Sequence, residues 1–469
     1  MSYSLGSGST DEFVSREFCD LDLRDKRLAA RIKNIVNVLQ NRLGSCIRRL
    51  FTDTKDARQA YDFFSNPKIS SDKLISTHYA QTAERIRVSR SKYILAIQDQ
   101  MYLNYTNHKA KNYLGTIGKT GKTVQYGIIQ HSCLCVDDSN EAMGLLDLNY
   151  FDNSDFDTSK NRHKRPIEDK ASLMWILSLK NMRQRLGHVN QRIITVADRE
   201  GDFYEFLYPL MKNNEEFVIR AQHNRSLGEK YCKSGNLKLY DMIEEAPVKG
   251  RMEITFQDTT TREIKEEILL LKGITVDIFP PKNLTREQKD KHKYEFLRVN
   301  VVVAYNDNHK WILLTNLPVK TVLHLEEVVN IYKNRWHVED YHKVLKTGYQ
   351  VDEIYLHSSK DAIKTLLTLA AICACRLYWM IYIGRTEANV KANILFEEFE
   401  WKAIYVYFNE PLPKECPTIS EVVLKIARLG GYKHSKHSNP PGIKTMWIGY
   451  QQFSIAAQTY RNMLAKTLY

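Results

Sequence analysis

The chain has no Cys-x-x-Cys pair, which removes zinc-ribbon spacing from consideration. Its eight cysteines, Cys19, Cys46, Cys133, Cys135, Cys232, Cys373, Cys375 and Cys416, are scattered over 469 residues. That is too sparse for a disulfide scaffold and fits small apolar packing residues in a reducing compartment. Internal repeats and long low-complexity tracts are missing as well. Met1 to Ser9 is polar and Gly/Ser-rich, without the basic and apolar stretches of a secretory leader, so no export signal is expected. Only one long apolar run occurs, Leu366 to Gly384, and Arg376 sits in its middle. A charge there is expensive in hydrocarbon, so a buried or dimer-facing helix is expected rather than a membrane span. No membrane partner is expected, and the expected location is cytoplasmic. A nucleotide cofactor is not expected either: the glycine-rich turn with Lys119 and Lys122 lacks P-loop order and context.

Acids are in deficit. Lys plus Arg number 68 against 55 Asp plus Glu, a net charge of +13 that favours a polyanionic partner such as nucleic acid. Apolar residues at 43% and charged residues at 26% are an ordinary globular balance, and the length allows two to four domains of about 100–200 residues each.

Residues 1–90 read as a helical module. Leu28, Ile32, Ile35, Val36 and Leu39 recur at helical spacing among basic residues. Thr52 or Asp53, and then Ser70 or Ser71, can cap two further helices. Arg24, Arg27, Arg31, Arg42, Arg48 and Arg49 are candidates for phosphate contact. From Tyr93 the texture becomes α/β. Tyr93 to Asp99, Val124 to Val136 and Ala142 to Tyr150 predict an antiparallel meander. A helix over Ala171 to Leu186, a buried strand over Arg192 to Ala197, a helix to about Met211 and a strand over Glu216 to Arg220 follow. Residues 224–316 read as an all-β insertion. One long helix is predicted from about Glu326 to Lys346, and the remainder, 361–469, is mainly helical. The outer domain 91–223 then continues in 317–360.

If the strands ending at Asp99 and just before Asp198 pair side by side, their acids meet at one sheet edge. A helix over that edge can add a third. Three carboxylates in a cleft repel one another unless a divalent cation neutralises them, and oxygen-only ligands suit Mg²⁺ or Mn²⁺. The long helix offers Glu339. Tyr332, Arg335, Glu339 and Lys346 are offset by 3, 7 and 14 positions and share one helical stripe. Such a stripe fits a face that binds metal through Glu339 and phosphate through Arg335 and Lys346.

The segment from Tyr332 through Arg335 and Glu339 to Lys346 resembles the signature of the DDE insertion-sequence transposases that carry the Tyr-Arg-Glu-Lys motif. Val196-Ala-Asp198-Arg-Glu-Gly-Asp202 looks like their second-aspartate segment, Ala96-Ile-Gln-Asp99 like the first, and Ile426 to Gly431 with the Trp447 region like their C-terminal part. After Asp99 stand Gln100 and Met101, where relatives commonly carry small hydroxyl residues. The resemblance implies an RNase H-like catalytic core interrupted by the β insertion, an N-terminal domain binding transposon ends, and a C-terminal dimerisation region. It implies two-metal cleavage at transposon ends, joining of the 3′-hydroxyl ends to target DNA, and a homodimer in the synaptic complex. Asp99, Asp198 and Glu339 become the catalytic and metal-binding acids. Tyr332, Arg335 and Lys346 become phosphate holders, and Trp311 occupies the context of a tryptophan that stacks a flipped base. Arg220 is either an edge charge or a DNA contact, and Asp202 is expected to lie in the helix or behind the acids that do the chemistry. His434 and His437, interleaved with lysines, are expected to lie in a solvated or DNA-facing segment. The rival readings are a non-catalytic DNA-binding regulator or inhibitor of transposition and a structure-selective nuclease on the same fold.

Overall fold

The computed structural model describes residues 5–19, 21, 25–41, 50–51, 53–157, 159, 165–227, 237–257, 264–281, 294–353, 359–387, 389–433 and 440–467. Arg24, Arg42, Arg48, Arg49, His434 and His437 lie outside these residues.

Among the described residues four helices come first: α1 (Thr10–Glu17), α2 (Lys26–Asn41), α3 (Thr54–Phe64) and α4 (Ser71–Val88). The caps follow the expected chemistry. Asp53 accepts a hydrogen bond from the Lys55 N–H and Ser70 from that of Lys73, each satisfying an amide that the first helical turn leaves unpaired. Leu28, Ile32, Ile35, Val36 and Leu39 of α2 are all buried, so the helical spacing read from the sequence is the packed face. Arg27 is exposed and Arg31 half-buried.

The centre is one ten-stranded mixed sheet: β1 (Ile94–Asn104), β2 (Thr116–Thr120), β3 (Thr123–Asp137), β4 (Ala142–Phe151), β5 (Ile193–Ala197), β6 (Glu216–Arg220), β7 (Gly250–Gln257), β8 (Ile264–Ile278), β9 (Leu297–Tyr305) and β10 (Lys310–Thr315). The order is β2-β3-β1-β5-β6-β10-β9-β8-β7, with β4 also on β3. β1, β3 and β4 form the expected antiparallel meander. β5 is parallel to β1, and β6 to β5. Both faces of these central strands are covered, so Ile94 to Gln98 is buried without a break instead of alternating. Helices α5 (Leu173–Arg185) and α6 (Tyr204–Lys212) supply part of the cover.

The segment after β6 departs from its sequence reading in one respect. A short helix, α7 (Leu239–Glu245), precedes the strands, and β7 to β10 extend the central sheet, with β10 antiparallel to β6.

The predicted continuous helix from Glu326 to Lys346 is broken in the structure. α8 (Val322–Lys333) ends at Asn334, α9 (Trp336–Lys343) begins after Arg335, and Val344–Gly348 is a π turn. The junction is tightened by i→i−3 bonds, Asn334 N–H to Ile331 C=O at 3.2 Å and Arg335 N–H to Tyr332 C=O at 3.0 Å. The apolar run lies in α10 (Lys360–Thr386), the one helix among the described residues long and apolar enough to cross a membrane. It is a core helix: Arg376 is 4% exposed and donates to the carbonyls of Gly8 and Gly6. Among the described residues three helices follow, α11 (Glu398–Tyr407), α12 (Ile419–Leu429) and α13 (Ile443–Thr467). Cys133, Cys135, Cys373 and Cys375 are fully buried, as packing residues should be.

Candidate active site

Register builds the site. Parallel pairing sets Gln98 of β1 opposite Ala197 of β5, so Asp99 and Asp198 are the next residues of two neighbouring strands. Side chains alternate along a strand. Leu95 and Ile97 on β1, Ile194 and Val196 on β5, and Val328, Val338 and Tyr341 on α8 and α9 share one hydrophobic core. The same alternation turns Asp99 and Asp198 towards the face that carries Glu339.

Asp99 has a side-chain exposure of 14% and accepts a hydrogen bond from the Gln100 N–H at 2.9 Å. Burial and the neighbouring Asp198 carboxylate push its pKa up to about 7, Glu339 adds to the rise, and the Arg335 guanidinium opposes it. Asp198 caps a 3-10 turn over Arg199–Gly201, accepting from the Glu200 N–H at 2.8 Å. Arg335 bridges the remaining acids: it is ion-paired to Glu339, four residues on, and lies 3.9 Å from Asp99. Among the described residues its own Nε is buried without a partner.

Beside the acids stands an aromatic and cationic group. Trp311 on β10 meets Tyr332 edge-on, ring centroids 5.6 Å apart. The Arg335 guanidinium lies 5.8 Å from the Tyr332 ring and 5.7 Å from the exposed Trp336 ring. Arg220, opposite Leu313 in the β6–β10 pairing, sits close enough for its charge to act on the Tyr332 hydroxyl. Lys346 is exposed in the π turn, and its charge acts on His342. Asp202 belongs elsewhere: it is buried, accepts from the amides of Gln222 and His223, and pairs with Arg225.

One residue escaped the sequence reading. His342 stands three positions after Glu339 and seven after Arg335, offsets that place it on the same stripe. It is buried, with Nδ1 3.8 Å from Asp99 and Nε2 3.2 Å from the Ser132 hydroxyl. Burial, aided by the charge of Lys346, depresses its pKa to about 3. Beneath it, Gln130 donates to Ser132 at 3.0 Å, completing a buried polar floor under the acids.

The three carboxylates present only hard oxygen donors, and a divalent cation fits such a set. Among the described residues no group of three or more His, Cys, Asp or Glu stands at ligand spacing. Arg335 instead supplies the positive charge between Glu339 and Asp99.

Acids at the carboxyl ends of adjacent parallel strands, beside a guanidinium group and stackable rings, form a polar cleft suited to phosphate chemistry. Comparison with known proteins narrows the class. Residues 10–69 match the family described as transposase DNA-binding, residues 171–375 the transposase DDE domain, and residues 372–466 the transposase Tn5 dimerisation domain. The chain is a metal-dependent DNA transposase with DNA-binding, DDE catalytic and dimerisation regions. Asp198 and Glu339 fall inside the matched DDE segment, and Asp99 precedes it.

Proposed function

We propose that Asp99, Asp198 and Glu339 are the catalytic carboxylates and the ligands of two divalent ions, Mg²⁺ with Mn²⁺ able to substitute. The register of β1 against β5 carries this reading, because it makes two acids neighbours at the ends of parallel strands beneath the helix that bears the third. The raised pKa of Asp99 supports it: burial first, and then the Asp198 carboxylate, outweigh the Arg335 guanidinium. Bound ions would activate the attacking hydroxyl and stabilise charge on the scissile phosphate. The chain's own residues hold the substrate. Arg335, Tyr332, Lys346 and Arg220 steady phosphates near the cleaved end, and Trp311 stacks a base flipped out of it. The His342–Ser132–Gln130 floor keeps Asp99 oriented.

The reaction in this reading is cleavage at transposon ends by water, freeing a 3′-hydroxyl, followed by attack of that hydroxyl on target DNA. No covalent protein intermediate is needed. The finer assignment is to the Tyr-Arg-Glu-Lys group of insertion-sequence transposases, supported by the spacing from Tyr332 to Lys346. The strand order β4-β3-β1-β5-β6 supports an RNase H-like core in 91–223 and 317–360, with β7 to β10 as the insertion of 224–316. Residues 1–90 then bind transposon ends and 361–469 dimerise, as a homodimer on paired ends in the cytoplasm. The test is cleavage of end-sequence DNA with Mg²⁺. Glu339→Gln should retain end binding and lose cleavage by about 10²-fold or more. Equal rates for the two proteins would remove Glu339 from the mechanism.

A further inference from the structure

The β2–β3 hairpin has no part in the site described above, yet it is a continuation of the strands that build it. β1 and β3 pair without interruption from Ile94–Asp137 to Asn104–Gly127, with Asp99 opposite Ser132 in the middle. Beyond β1, β3 pairs with β2 as far as Thr120–Thr123. The two-residue turn is Gly121-Lys122, with Gly121 at φ +59°, the left-handed position that a tight hairpin of this kind needs at its first central residue. A Cβ built on Gly118 or Gly121 meets nothing within 4 Å, so the tip stands clear of the other described residues. Lys119, Thr120, Gly121, Lys122 and Thr123 are all exposed. The hairpin is nonetheless anchored: the Gly127 N–H donates to the Gly115 carbonyl at 3.1 Å, and the Gly115 N–H to Asp152 at 2.9 Å.

Its charge is one-sided. From Gln100 to Val136 the chain has Lys109, Lys111, Lys119 and Lys122 and not one Asp or Glu. The acids at the hairpin's base, Asp152 and Asp155, are both paired with Lys360. Distance gives the patch a meaning. Thr123 is nine residues along β3 from Ser132, the partner of Asp99, which at about 3.3 Å per residue is about 30 Å. One turn of B-DNA is about 34 Å. A duplex lying along this strand with a phosphate at Asp99 therefore turns the same backbone face to the hairpin tip one helical turn away.

We propose that the Lys119/Lys122 tip grips the phosphate backbone of the target duplex about one helical turn from the phosphate under attack. The proposal rests on the carboxylate site assigned above. Target DNA is the occupant because the tip offers only lysine ammonium, threonine hydroxyl and glycine backbone, which hold phosphate without reading bases. The transposon end, by contrast, has a matched DNA-binding region in residues 10–69.

The test uses the full chain and the double variant Lys119→Ala/Lys122→Ala. Both side chains are exposed, so the fold should stand. Binding to a duplex without end sequence is measured against salt, and the logarithmic slope should become less steep by about two, one per lysine. With Mg²⁺, cleavage of end DNA should be unchanged, while joining of pre-cut ends to a plasmid falls, and falls further as salt rises. Lys→Arg at both positions should restore joining. An unchanged slope with unchanged joining overturns the proposal, as does a parallel loss of cleavage and joining. If the unmodified protein cleaves nothing, the carboxylate reading fails, and the salt slope still decides the role of the hairpin.

Discussion

Asp99 is where folding and function pull in opposite directions. Its pKa of about 7 in the folded chain lies far above the ordinary carboxylate range, because burial and Asp198 both disfavour the charged form. A raised carboxyl pKa means that the folded state holds its proton more tightly than the unfolded one. Stability from this group is therefore lost as pH rises from about 4 to about 7 and stays lost above that. In metal-free protein, Asp99→Asn should be more stable than the unmodified chain at neutral pH, by up to about 3 kcal/mol, with the gap closing towards about pH 4. Denaturant midpoints at several pH values check this; a gap that does not vary with pH would show that charge is not its cause. The same proton competes with metal, so Mg²⁺-dependent cleavage should acquire an acid limb that moves to lower pH as Mg²⁺ is raised. His342, held near 3, is neutral throughout that range and cannot be the source. His342→Asn should lower the rate yet leave the limb in place, and a limb that vanished in this variant would move the titration to the histidine.

Elements show why some of the architecture is legible in the sequence and some is not. β1, β5 and β6 announce themselves as short unbroken apolar runs because both their faces are covered. β2 does not: Ile117 is its one buried side chain in Thr116–Thr120, which leaves no alternation to read, and its residues pass for a glycine-rich turn. The break at Asn334–Arg335 has no Pro or Gly to mark it, so the stripe of Tyr332, Arg335, Glu339 and Lys346 was drawn on an ideal helix. Tyr332, Arg335 and Glu339 survive the break as neighbours, since it falls between them and is tight, whereas the π turn carries Lys346 out to the surface. His342 shows in the sequence only as an offset, because a lone histidine has no signature without its partners. The C-terminal pair α12 and α13 shows a motif whose reason is purely steric. A Cβ on Gly430 would strike the Thr445 carbonyl, and one on Gly449 the Ile426 carbonyl, so the helices cross with backbone against backbone. Gly449→Ala should therefore force them apart at a cost of about 1–3 kcal/mol and shift any dimer equilibrium along with the melting temperature. Calorimetry and sedimentation of the variant check it; an unchanged melt would mean that the crossing relaxes freely.

At the scale of the whole molecule, the N-terminal helices are fastened to the catalytic sheet by buried charge. Glu17, at the end of α1, is fully buried against Arg85 and His78 of α4. Those two residues reach on to β4: Arg85 donates to the Met143 carbonyl at 2.6 Å, and His78 Nε2 accepts the Leu145 N–H at 3.0 Å. That second bond fixes the tautomer, leaving the proton on Nδ1 to be donated to Glu17 at 2.6 Å. Gly144 lies between them at φ +123°, where an added Cβ would meet Thr82, Arg85 and His78, so the strand can approach this closely only with glycine. The arrangement couples the DNA-binding region to the sheet that carries the acids, and it gives the coupling a defined pH range. Burial alone would raise the Glu17 pKa, but the Arg85 charge and the His78 bond overcome it and hold the pKa at about 2. A depressed carboxyl pKa contributes stability above the unfolded value and loses it as pH falls towards the folded one. Glu17→Gln should cost about 3–5 kcal/mol at neutral pH, since it leaves Arg85 buried without its counter-charge. The deficit should shrink steadily from about pH 5 to about pH 3, as the unmodified chain begins to lose the same charge. Urea midpoints across that range decide it. A deficit that keeps its full size in acid would mean that shape, rather than the ion pair, joins the N-terminal helices to the sheet.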